Sequence, residues 1–196
     1  MHKISPFFFI TILLLAFSCE EAYTPKPKGF NRIDLPEHSY RVLPDSFPYQ
    51  FEYSKLSTLE SAQSKFSERY WITLNYEDFE AIVQLTYKNL QDPSIDTDVL
   101  LNEAFELTKQ HQVKAYSIEE SLVALRNGQV ASIAELEGEV PTQFQFYTSD
   151  STQHFFRGAL YFNTAMKNDS LAPVIEFIKT DIMHMLNTFE WTYDHP

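Results

Sequence analysis

The sequence predicts an α+β fold: a single domain with a mainly antiparallel β-sheet packed by two main helices, after a signal peptide and a Pro-rich tether. Three observations carry that expectation. From Tyr49 onward, short segments alternate aromatic or β-branched residues with polar ones, the period of a half-buried strand. Two stretches, 96–111 and 171–189, instead place apolar residues at steps of three and four, the period of a helix face. Asn127-Gly128 separates two extended runs, and that dipeptide suits a tight hairpin because both residues tolerate left-handed backbone.

The chain begins with Met1-His2-Lys3 and an apolar run from Pro6 to Phe17. About 20 apolar residues are needed to cross a bilayer as a helix, so this shorter run reads as the hydrophobic region of a signal peptide over 1–18. It ends in Leu15-Ala16-Phe17-Ser18-Cys19, small residues before the chain's one cysteine. An exported protein with a single cysteine has no internal disulfide to make. Cys19 is therefore the expected lipidation site, with cleavage by ordinary signal peptidase and an uncleaved anchor as the other two readings. Two or more acyl chains, at about 0.8 kcal/mol per buried methylene, give stable membrane anchoring.

Residues 19–48 read as a lipidated N-terminus and an extended lead-in, and 49–196 as the α+β domain. Pro25 and Pro27 favour an extended, semi-stiff chain, and Pro36, Pro44 and Pro48 disfavour helix at the residues before them. Tyr49 to Tyr53 reads as one strand, and Arg69 to Tyr76 and Ala81 to Tyr87 as a pair of strands. A helix follows over 96–111, with Asp96 or Asp98 as its N-cap. Lys114 to Arg126 fits strand or helix equally, and Gln129 to Glu137 reads as a strand. Gln143 to Tyr147 alternates, and Thr148 to Ser151 is a turn. His154 to Asn163 is apolar on both faces, which suits a central strand. The last helix is capped around Asn168 to Ser170, with Pro173 placed in its first turn, where a missing N–H costs nothing.

The formal net charge is −12. So acidic a chain repels phosphate backbones, so nucleic acid is not an expected partner. The four glycines are isolated and form no phosphate-cradling loop. There is no G-x-S-x-G elbow, and the six histidines form no H-x-H or H-E-x-x-H pair. No catalytic residue, cofactor or metal is therefore expected, and the chain is not expected to be an enzyme. Glu119-Glu120 reads as one solvated carboxylate and one that caps or pairs, since neighbours in a strand or helix point apart. His184 falls off the apolar stripe of the last helix and reads as an edge residue. Arg157, inside an apolar strand, reads as a buried ion-pair partner or an anion-binding group. The aromatics from Phe144 to Phe162 read mainly as core, with a partner-binding sheet face as the other reading.

Several blocks resemble one known family. They are Pro25 to Pro36 (PKPKGFNRIDLP), Phe51 to Lys55 (FEYSK), Gln84 to Lys88 (QLTYK), Lys114 to Glu120 (KAYSIEE), Gln143 to Asn163 (QFQFYTSDSTQHFFRGALYFN) and Lys167 to Glu176 (KNDSLAPVIE). Together they resemble the gliding motility lipoprotein GldD family of the Bacteroidota. The resemblance implies an envelope lipoprotein required for gliding, anchored in the outer membrane by its lipid and facing the periplasm. It implies partners among other gliding and type IX secretion envelope proteins. It carries no catalytic residues to this chain. A small-ligand or cell-wall binding module is the alternative, motivated by the aromatic strands and Arg157.

Overall fold

A computed structural model describes residues 33–62, 68–110, 114–162 and 168–192, without the side chains of 168–170. Cys19, the expected export segment and the Pro25–Pro27 stretch lie outside the described residues.

The body is built on a seven-stranded antiparallel sheet. Its strands are β4 (Thr58–Ser61), β5 (Ile72–Tyr76), β6 (Ala81–Asn89), β7 (Ala115–Ala124), β8 (Val130–Gly138), β9 (Thr142–Ser149) and β10 (His154–Phe162). Across the sheet they run β4-β5-β6-β10-β9-β8-β7. Two meanders, β4-β5-β6 and β7-β8-β9-β10, meet where β10 pairs antiparallel with β6. The apolar-rich β10 thus takes the central place that its composition predicts. The chain must pass from β6 in the middle to β7 at the edge, and it does so through helix α1 (Thr97–Lys109). Helix α2 (Asn168–Asn187) follows β10.

Strand parity decides which side chains meet which helix. Leu74, Val83, Leu85, Ile133, Phe144, Phe146, Phe156 and Leu160 share one face, and there they pack with Val174, Phe177, Ile178, Ile182, Met185 and Leu186 of α2. Gly158 lies on that face, where a Cβ would overlap the Phe146 ring and Leu85. Ser132, Ala134, Gln145, Tyr147 and Arg157 point the other way, and they line a space with Ala104, Phe105 and Thr108 of α1. The two helices therefore cover opposite faces of the sheet.

The β7–β8 hairpin forms at Asn127-Gly128, with Gly128 at φ +82°. Leu125 donates to Gln129 O at 2.8 Å and Gly128 to Leu125 O at 3.0 Å, which settles Lys114 to Arg126 as strand. Asp96 caps α1, its carboxylate accepting from the N–H groups of Asp98 and Val99.

Three expectations need correction. The packed body starts before Tyr49: Ile33 and Leu35 lie against the core, Leu43 is 1% exposed, and β1 (Tyr40–Val42) pairs with β3 (Glu52–Ser54). Proline there excludes helix but leaves extended chain free to pair. Tyr49 to Tyr53 is two strands, not one. β2 (Tyr49–Gln50) pairs with β11 (Glu190–Trp191), and β3 pairs with β1, so the chain changes partner at the buried Phe51. Pro173 falls inside α2 rather than in its first turn, because the helix already begins at Asn168.

Candidate functional site

The densest polar network joins the lead-in strand to α2. His38 and Tyr40 are two apart on extended chain and so point the same way. Phe177, Asp181 and His184 recur along one face of α2 at steps of four and three. His38 Nδ1 donates to Asp181 Oδ1 at 2.7 Å, and the Tyr76 hydroxyl donates to Asp181 Oδ2 at 3.2 Å. Asp181 is only 2% exposed, so its carboxylate is held by these donors rather than by water. Burial, then the Asp181 carboxylate, pushes the Tyr40 hydroxyl up to about 12, and the same two causes raise Tyr76 further. Both phenols stay protonated as donors. The His38 ring stacks on Phe177 with centroids 4.1 Å apart, and Tyr40 stacks on His184 at 3.6 Å. His184 Nε2 meets Glu52 Oε2 at 2.7 Å. A carboxylate that fixes Nδ1 of a histidine is one half of a general-base arrangement. Here its partners are phenols and stacked rings, and the network pins β1 and β3 to the helix. His184 is half-buried at the helix edge, as its position off the stripe implies.

Arg157 lies on the α1 side of β10. Its guanidinium donates to Gln145 Oε1 at 2.8 Å and lines a cavity of about 60 Å³ that Glu120 also lines. That volume suits one or two waters rather than a metabolite. His154 points to the opposite face, buried, with Nδ1 at 2.7 Å from the Tyr87 hydroxyl and its ring stacked on Trp191. Burial lowers the His154 pKa, against the opposing pull of Asp150. Burial also acts to raise the Asp150 carboxyl, but backbone N–H groups of Gln153, His154 and Thr152 outweigh it and hold the pKa below the ordinary value. Phe144, Phe146 and Phe156 are packed into the core, so these rings form no open platform.

A larger cavity, about 320 Å³, opens between the end of β8 and α2. Lys179 bonds both Glu135 and Glu176 at its wall. Burial acts to lower its pKa, and the two carboxylates more than compensate, so the ammonium is held charged. The Lys179–Glu176 pair is three residues apart on one helix and legible in sequence; Glu135 comes from 44 residues away and is not. The same distance problem hides His38–Asp181, which spans 143 residues. Among the described residues no three His, Cys, Asp or Glu side chains converge as a metal site, and no helix is long and apolar enough to cross a membrane.

The outer surface of α1 and β7 is unusually apolar. Phe105 and Val99 are each 51% exposed, and Leu122 is 76% exposed. Glu119 and Glu120 beside them are both exposed.

No curated protein matches the chain. Among solved structures, the cyanobacterial PsbP protein CyanoP from Synechocystis sp. PCC 6803 is similar at 13% identity with a TM-score of 0.46, covering 86% of this chain and 99% of that one. The family described as gliding motility lipoprotein GldD matches residues 20–191, starting one residue after Cys19, and the chain belongs to that family of membrane-anchored envelope lipoproteins involved in gliding motility.

Proposed function

We propose that the chain is an outer-membrane lipoprotein, held by acyl groups on Cys19 and facing the periplasm, that assembles or stabilises the gliding and type IX secretion machinery through protein contacts. It catalyses no reaction in this reading. The family match over residues 20–191 carries the proposal. The geometry is consistent with it: the buried polar network serves to fix the lead-in strand, and the exposed apolar surface lies elsewhere, on α1 and β7.

Deleting the gene should abolish colony spreading and secretion of sorted cargo. Cys19→Ser should block lipidation and impair spreading. Normal spreading and secretion in the deletion strain would overturn the reading.

A small-ligand role is the second reading, and the cavity of about 320 Å³ beside Lys179 favours it, being at the lower end of ligand-site volumes. Lys179→Met with unimpaired spreading would remove that support.

A further inference from the structure

We propose that β7 is a docking edge that takes up a basic, extended segment of a partner protein as an eighth strand. The inference rests on the assembly role proposed above and names the surface that serves it. β7 is ten residues long and ends the sheet, so among the described residues β8 is its one hydrogen-bonded neighbour. A strand of that length at an edge presents a row of backbone donors and acceptors, which proteins normally blunt with lysine, proline or a covering element. β7 contains no lysine and no proline; its one register shift lies between Ala115 and Ser117, short of residues 119–124, and its two glutamates repel acidic strands but not basic ones.

Its outward groups can be assigned from the hairpin. Leu125 exchanges hydrogen bonds across the turn, so by alternation Val123, Ser121 and Glu119 aim theirs at β8. Glu120 and Leu122 therefore point N–H and C=O outward.

The side chains choose the occupant. Glu119 and Glu120 are exposed on opposite faces of the edge, and Leu122 is exposed beside them. Opposite charges directly across a strand pair stabilise it, and like charges oppose it. A second copy of a chain with net charge −12 brings carboxylates to carboxylates. A segment with Lys or Arg across from the two glutamates, and an apolar residue near Leu122, fits all three positions. The alignment is by β-augmentation, in which backbone bonds give affinity and alternate side chains give selection.

The test uses the full-length lipoprotein in cells that make it. A photo-crosslinking benzoyl-phenylalanine replaces Leu122, with Glu60 on the opposite edge strand β4 as the control position. The expected result is one adduct at position 122, absent at position 60, that mass spectrometry maps to a net-basic, extended segment of another protein. Glu120→Pro removes an outward donor while leaving the β7–β8 ladder intact, and should abolish the adduct. Should Glu120→Pro unfold the hairpin, the double variant Glu119→Lys/Glu120→Lys decides, since it alters only exposed charge. It should cut adduct yield by about tenfold. An adduct to a second copy, an adduct on a neutral or acidic segment, equal labelling at position 60, or yield unmoved by both variants each overturns the proposal. If the deletion strain fails to glide while the charge-reversed strain glides normally without any adduct, the assembly role stands and this edge is not its surface.

Discussion

The two helices lie on opposite faces of one sheet and do different work. α2 buries apolar residues along its length, from Val174 to Leu186, against the aromatic face of β9 and β10. α1 is also apolar along one stripe, yet it buries only Ala104 and Thr108 and leaves Val99, Leu101, Phe105 and Leu107 open. At about 25 cal/mol per Å² of apolar area, α2 holds the fold together and α1 contributes little. α1 exists because the topology needs it: β6 ends mid-sheet and β7 begins at the edge. An amphipathic helix is thus evidence of an apolar face, and not of what covers that face.

The strongest way to break the comparison is to cut into the α2 side. Phe156 is fully buried among Tyr49, Phe146 and Phe189. Phe156→Ala should cost about 3–5 kcal/mol in urea unfolding, the range for truncating a core phenylalanine. A loss below about 1 kcal/mol would mean that this face is loosely packed and the contrast with α1 false.

A smaller loss should follow at the polar end of the same helix. Asp181→Ala leaves the buried Tyr76 hydroxyl without its acceptor and frees His38 Nδ1, whose ring is about a third exposed, to turn to water. Leaving buried donors unsatisfied costs about 1–3 kcal/mol. Amide exchange should quicken in β1 as well, because that carboxylate ties the lead-in strand to α2. Exchange in β1 that matched the wild type would show that the ribbon with β3 holds it alone.

Legibility followed the range of the interaction. The hairpin at Asn127-Gly128, the Asp96 cap, the β5–β6 pair and the central place of β10 are all visible in short windows, since each rests on local backbone preference or apolar content. The start of the body was not. Leu43 and Ile33 look like loop residues until the folded body is seen: Leu43 donates to Phe51 O and is core, and Ile33 packs partly buried against that core. The site residues fare worse. Arg157 was visible as a charge in an apolar strand, but its Gln145 partner depends on the β9–β10 register. The edge position of His184 was legible, but the pairings His38–Asp181 and Glu52–His184 carry no local signal, because they span 143 and 132 residues.

A third test separates the faces by pH. Burial holds the His154 pKa below its ordinary 6.5, so protonation favours the unfolded chain. The sign follows: this group's contribution is fully present above about pH 6.5 and is lost as pH falls through the folded pKa. Unfolding free energy measured at about pH 7.5 and about pH 5 should fall more for wild type than for His154→Gln. Equal falls would assign the acid sensitivity elsewhere.

The smallest expected effect is the most informative about α1. Phe105 is half-exposed, with the Lys109 ammonium 5.8 Å from its ring. Phe105→Ser should change stability by no more than about 0.5 kcal/mol, as surface substitutions usually do. Amides of α1 should also exchange faster than those of α2, because a helix anchored by two small side chains opens locally at lower cost. A loss of about 2 kcal/mol or more would mean that the ring packs on something in solution, and α1 would then be a covered face. If stability holds and partner capture at β7 also holds, the recognition belongs to the strand edge alone. If stability holds and capture fails, Phe105 belongs to the docking surface, and the poor burial of α1 is explained by what binds there.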